Sequence, residues 1–110
     1  MVGVTVGLAL LFASTANSAR PRWMPKVYWA IALCETGGNW QHSQRDYASA
    51  FGIYRASWAE FKPKGVPARP ESASPLQQYL VAREIGRRVG LSAWGCYRHG
   101  GYRYWMRRIK

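Results

Sequence analysis

Apolar residues recur at helical spacing in two stretches of the chain, with short polar and Pro-rich runs between them. Val27, Ile31 and Cys34, spaced by four and three with Ala30 between, predict the first helix. Gly37-Gly38 supplies its C-terminal stop, because a left-handed residue there costs glycine little. Pro25 suits the opening of that helix, where a missing N–H is not needed. The second long helix carries its own start signal. Ser74 is a good N-cap, Pro75 fits the first helical position, and Gln77 stands where a capping-box partner reaches back. Leu76, Leu80, Ile85 and Val89, with Ala82 between, predict its apolar stripe, Gly90 ends it, and Arg83, Arg87 and Arg88 occupy the opposite side as a solvated face. Between the helices, the mixed polar run Gln41 to Ser49 reads as a loop leading into a short hairpin through Ala50-Phe51-Gly52-Ile53-Tyr54. Arg55 to Phe61 reads as a short helix with Trp58 and Phe61 three apart on one face, and Lys62 to Pro70 as a crossing loop rich in Pro and Gly. The expected class is α+β, small and mostly helical, with one short β-hairpin.

The ends of the chain change that picture. Met1 to Ala13 is apolar apart from Thr5, and the small residues that follow it resemble a signal-peptidase site, with cleavage after Ala19 or Ala16. The run is too short for a stable membrane span. Its opening has no Lys or Arg, so a retained N-terminal anchor is the competing reading. The expected organisation is a signal over residues 1–19, a Pro-broken basic leader over 20–26, one domain over 27–96, and a basic aromatic tail over 97–110. A chain of 110 residues has room for one such domain.

Sixteen Lys and Arg against five acids give a formal charge of +11, which calls for an anionic partner or surface: nucleic acid, anionic lipid, or a bacterial wall with its carboxylates and phosphate polymers. The tail interleaves basic and aromatic residues with no acid, a composition that stacks on sugars or bases, sits at a membrane interface, or simply solubilises. Cys34 and Cys96 are the only cysteines. In an exported chain two cysteines read as one disulfide, and two buried free thiols are the alternative. Closing a loop of about 62 residues would contribute roughly 4 kcal/mol in the chain-entropy account. Neither His42 nor His99 has ligand spacing to the cysteines, so no metal site and no cofactor are expected.

Five acids are a small pool for catalysis: Glu35, Asp46, Glu60, Glu71 and Glu84. Glu35 falls on the last turn of the first helix, at the pole where the helix dipole disfavours a carboxylate, beside Cys34 and near Trp40. Apolar neighbours raise a carboxyl pKa and keep it protonated, as a general acid must be. Asp46, in the polar loop, is the possible second acid, with turn capping as its ordinary role. No Ser-His-Asp or Cys-His arrangement and no phosphate-cradling glycine loop is present.

The run Tyr28-Trp29-Ala30-Ile31-Ala32-Leu33-Cys34-Glu35-Thr36-Gly37-Gly38-Asn39-Trp40 resembles the start of the resuscitation-promoting-factor domain, a reduced lysozyme-like, lytic-transglycosylase-related fold. Gly52-Ile53-Tyr54 with Ser57-Trp58, then Arg69, Glu71, Ala73, Ser74 and Gln78, and finally Gly90, Ala93, Trp94 and Cys96 continue the likeness. The chain departs from the pattern at Tyr54 and Val89, where glutamines are common, and at Ser57, where threonine is. The resemblance implies a peptidoglycan glycosidase that cleaves the β-1,4 bond between N-acetylmuramic acid and N-acetylglucosamine by lytic transglycosylation or hydrolysis. Glu35 is its implied general acid and base, the disulfide Cys34–Cys96 is implied with it, and Trp40, Tyr54, Ser57 and Trp58 are implied near the sugars. The expected protein is secreted to the cell wall and monomeric, with glycan strands and anionic wall polymers as partners and no obligate nucleic acid. A catalytically weak wall-binding module and a cationic nucleic-acid- or membrane-binding protein are the alternatives.

Overall fold

The computed structural model describes residues 19–110. The expected signal segment, apart from Ala19, therefore lies outside the described residues. Helix α1 spans Lys26–Thr36 and buries five consecutive residues, Trp29 to Leu33. Burial all round the helix, instead of along one stripe, makes α1 the centre of the core. The Pro25 carbonyl accepts from the Tyr28 and Trp29 N–H groups at the helix start. At its end Gly37 and Gly38 both take φ of 76°, and a Cβ on Gly38 would lie 2.7 Å from the Trp29 ring. Only glycine meets both demands there.

Strands β1 (Tyr47–Ala48) and β2 (Ile53–Tyr54) pair antiparallel, Tyr47 opposite Tyr54 and Ala48 opposite Ile53. Helix α2 (Arg55–Phe61) follows directly, then the crossing loop and a 3-10 turn at Pro70–Ser72. Helix α3 (Pro75–Arg88) begins with the full capping box, Ser74 accepting from the Gln77 N–H and the Gln77 side chain accepting from the Ser74 N–H. A second 3-10 turn at Leu91–Ala93 leads to α4 (Gly95–Arg98) and α5 (Tyr102–Met106), both packed against α1. Among the described residues no helix is long and apolar enough to cross a membrane.

The buried face of α3 differs from the predicted stripe. Leu76 and Val89 are exposed, and the inward row is Gln78, Tyr79, Val81, Ala82 and Ile85. The reason is Gln78. Its fully buried amide accepts from the Ala50 N–H at 2.9 Å and donates to the Trp40 and Ala73 carbonyls at 3.0 and 3.1 Å, so it satisfies three backbone groups of otherwise irregular chain. That requirement outweighs the hydropathy of Leu76 and Val89.

The leader and tail also differ from expectation, because both are folded onto the domain. Met24 is buried in the core and Trp23 packs on Tyr79 with ring centroids 5.5 Å apart. Tyr97 stacks on Tyr102 at 4.6 Å, and Tyr102, Trp105 and Ile109 pack against the core. Arg20 ties the two ends together by donating to the Met24 and Lys110 carbonyls. The tail's aromatics thus bury area that a domain of this size needs.

Glu71, mostly buried, accepts from Arg55, Arg69 and Ser43 and so clamps the loop before the hairpin, the start of α2 and the 3-10 turn at one point. Its hydrogen bonds from Arg55, more than any other cause, lower its pKa to about 2. A lowered carboxyl pKa contributes stability that is full above the ordinary value of 4.5 and is lost as pH falls through about 2. The melting temperature of the wild type is therefore expected to fall more steeply across that window than that of Glu71→Gln, measured by circular dichroism. Gln78→Ala leaves three buried backbone groups without partners and is expected to cost about 2–4 kcal/mol in denaturant unfolding, among the larger effects available to a single substitution.

Candidate active site

Glu35 reaches its place because two constraints meet at the end of α1. Cys34, one residue earlier, is disulfide-bonded to Cys96, with the two Cα atoms 6.0 Å apart. The bond fastens the last turn of α1 to the first turn of α4. From there the Cys96 N–H donates to Glu35 Oε2 at 3.2 Å. The next residue, Thr36, accepts from the Asn39 N–H and donates to the Ala50 carbonyl at 2.6 Å, which holds the helix end against the hairpin. Gly52, at φ 58°, passes so near Glu35 that a Cβ would lie 3.6 Å from its Cβ and its Oε1. Any side chain there would stand over the carboxyl.

The Glu35 carboxyl opens into a cleft of about 450 Å³ lined with Thr36, His42, Gln44, Tyr47, Gly52, Trp94 and Arg98. A second depression of about 200 Å³ continues it past Ile53, Tyr54, Ser57 and Ile85. Tyr47, Gly52, Ala93 and Trp94 line both, so the two form one groove over the hairpin. Its floor is rigid: Trp94 is buried, and its indole N–H donates to the Phe51 carbonyl at 2.9 Å. Tyr47 and Tyr54, cross-strand partners with ring centroids 5.3 Å apart, are both exposed on its rim.

Burial pushes the Glu35 carboxyl above its ordinary value, against the opposing pull of the Cys96 N–H and of the Arg98 charge. Desolvation wins because one hydrogen bond and one solvated guanidinium do not replace the water removed from a half-buried carboxylate. Of the five acids only Glu35 lines the groove. Asp46 is exposed, pairs weakly with Arg45 at 3.7 Å, and lines neither part of the groove.

The residues expected beside sugars divide. Tyr54 and Ser57 line the groove. Trp58 does not: it is fully buried, with its indole N–H given to the Pro67 carbonyl, so the expectation of sugar contact is corrected. The apolar face of α2 has to cover the core, and Trp58 is its largest member. Trp40 is half-buried and lies outside the groove lining, stacked on Trp29 at 5.7 Å and edge-on to Phe51 at 6.0 Å. Sequence reasoning missed Thr36, His42, Gln44, Tyr47 and Arg98 as groove residues. Thr36 stands next to Glu35 on α1 and its place was readable from that; His42, Gln44, Tyr47 and Arg98 offered no local signal, since a loop, a two-residue strand and a short C-terminal helix reach the groove only through tertiary contacts. Among the described residues no three or more His, Cys, Asp or Glu come together to hold a metal ion.

A half-buried carboxylic acid at the foot of an open groove, between a helix end and a short hairpin, defines a small lysozyme-like protein with a single acid in its site. The chain belongs to the transglycosylase-like domain family, whose model matches residues 24–97. It is 36% identical over 94 residues to resuscitation-promoting factor RpfD of Mycobacterium tuberculosis strain CDC 1551, an overlap of 84% of this chain and 57% of that protein. It is 34% identical over 92 residues to resuscitation-promoting factor RpfC of strain Erdman, covering 83% of this chain and 60% of that protein. The chain thus spans under two thirds of the length of these relatives. No solved structure matches it significantly.

Because the Glu35 pKa is raised, the protonated carboxyl is the one the fold favours; the stability tied to that proton is full below the ordinary value of 4.5 and is lost as pH rises through the raised value. Glu35→Gln removes the charge and keeps an acceptor for the Cys96 N–H. That variant is expected to melt above wild type at pH 7–8, with the gap closing below pH 4.5, as read by scanning calorimetry.

Proposed function

We propose that the protein is a peptidoglycan glycosidase that cleaves the β-1,4 bond between N-acetylmuramic acid and N-acetylglucosamine by lytic transglycosylation, with Glu35 as both acid and base. The observation that carries this reading is that Glu35 is the one carboxyl lining the groove, with its pKa raised by burial. A glycosidase of the usual kind that uses water has two carboxyls flanking the bond. An intramolecular route needs one.

In that route the Glu35 carboxyl donates its proton to the glycosidic oxygen, and the bond from that oxygen to C1 of the muramyl sugar breaks. N-acetylglucosamine leaves with a restored 4-hydroxyl. The Glu35 carboxylate then takes the proton of the muramyl 6-hydroxyl as that oxygen bonds to C1, closing a 1,6-anhydro ring. No water is consumed, and Glu35 ends protonated as it began. General acid work of this kind contributes about 10²–10⁴ in rate. The Cys96 N–H stabilises the transient carboxylate after the first transfer, which keeps it from holding the proton too tightly to give it up.

The match to the transglycosylase-like domain family supports a peptidoglycan substrate. Action on the wall requires export, and the apolar N-terminal run with its small residues before Arg20 supports a cleaved signal. The +11 charge then favours association with the anionic wall. Purified actinobacterial peptidoglycan digested with wild type is expected to release fragments ending in 1,6-anhydromuramic acid by mass spectrometry. Folded Glu35→Gln is expected to release at least 100-fold less, in line with loss of a general acid. Reducing ends from the wild type would overturn the transglycosylation step, and no release from any wall would overturn the enzyme reading.

A further inference from the structure

The groove is chemically lopsided. The half around Glu35 is lined by Arg98 and His42, whereas the half past Tyr54 and Ser57 carries no ionisable side chain but tyrosine. Arg98 is the last residue of α4, and its Nη1 donates to the Ser92 carbonyl at 2.7 Å. That bond holds the guanidinium beside Gly95, where a Cβ would lie 3.7 Å from Nη2. Among the described residues no carboxylate forms an ion pair with it. Asp46 pairs with Arg45, Glu71 with Arg55 and Arg69, and Glu84 with Arg87 and Arg88. Glu35 feels the Arg98 charge without contacting it.

A guanidinium anchored through one nitrogen, on a residue that lines the groove, is a fork for an incoming carboxylate. Its anchor lowers the side-chain entropy lost on binding. We propose that Arg98 is a specificity-determining residue that pairs with a carboxylate of the peptide carried by the muramyl sugar, seating that sugar in the Glu35 half of the groove and N-acetylglucosamine against the Tyr47–Tyr54 pair. The proposal rests on the peptidoglycan reading above and adds to it the polarity of the strand in the groove and the basis for choosing peptidoglycan over neutral glycans. A polymer of N-acetylglucosamine alone has no carboxylate to offer Arg98. The pairing also serves the chemistry, because a substrate carboxylate on Arg98 cancels the charge that pulls against Glu35 protonation. The Tyr47–Tyr54 half suits the uncharged sugar, since exposed aromatic faces pack on apolar sugar faces with no charge to match.

The test is binding in the Glu35→Gln protein, where no bond is cut, by calorimetry at fixed ionic strength. Two probes of equal length are used: a glycan of alternating N-acetylglucosamine and peptide-bearing N-acetylmuramic acid, and a chitooligosaccharide. Adding Arg98→Gln is expected to weaken the peptide-bearing glycan roughly tenfold or more, the worth of a charge-assisted pair, and the chitooligosaccharide less than about twofold. Arg103→Gln, an exposed cation on α5 outside the groove lining, is the control for bulk charge and is expected to change neither. Equal weakening of both probes by Arg98→Gln, no weakening of either, or an equal loss from Arg103→Gln overturns the proposal while the glycosidase reading stands. If the Glu35→Gln protein binds neither probe, the glycosidase reading falls and the proposal with it.

Discussion

The Cys34–Cys96 disulfide, with the hydrogen bond from the Cys96 N–H to Glu35 beside it, is the constraint on which the site depends. A carboxylate on the last turn of a helix sits against the helix dipole, and half-burial adds a desolvation cost. A single donor aimed at one oxygen offsets part of that cost, provided the donor stays put. The disulfide keeps it there, because the cysteine next to Glu35 and the residue that supplies the N–H are covalently the same unit. Covalent chemistry therefore sets the distance, and burial sets the direction of the pKa shift.

Around that point the small core is built from large side chains. Tyr28 meets Phe51, Tyr79 and Trp94 edge-on, with centroids 5.3 to 6.4 Å apart, so one ring joins α1, the hairpin turn, α3 and the groove floor. Aromatic pairs of this geometry add about 0.5–1.5 kcal/mol each beyond the area they bury. Polar side chains at two points replace missing sheet and helix bonding: Gln78 for the backbone near Ala50, and Glu71 for the loop before the hairpin. The hairpin has only two residues per strand, and such a pair is marginal by itself. Its position over Glu35 is owed to these anchors, and Gly52 can approach the carboxyl because they hold the turn.

Much of the architecture was legible beforehand because its signals are local. The end of α1 at Gly37-Gly38, the bounds of α2 and the capping box of α3 each depend on residues within one helical turn of one another. Glu35 was legible as well, as an acid at a poor electrostatic position among apolar neighbours in a chain with few acids. The stripe of α3 was misread at Leu76 and Val89, while Ala82 and Ile85 face inward as read, since hydropathy gives no weight to a glutamine whose value lies in three distant backbone partners. Trp58 was assigned to the groove by resemblance when its helix face required it inside. The tail read as a separate segment because of its basic and aromatic composition, yet its aromatics pack against the core.

What the sequence determined by itself was the three longer helices α1 to α3, their ends, the one disulfide open to an exported chain with two cysteines, and the candidate acid; these follow from short-range sterics, capping and covalent bonding. What only the tertiary structure decided was the groove. His42, Tyr47, Tyr54 and Arg98 come from a loop, a two-stranded hairpin and a short C-terminal helix, and they line one groove with Glu35 only after α1 has been buried and α4 tied to its end. The shift of the Glu35 carboxyl belongs to the same category. Desolvation is a property of everything packed around a group, and no spacing along the chain encodes it.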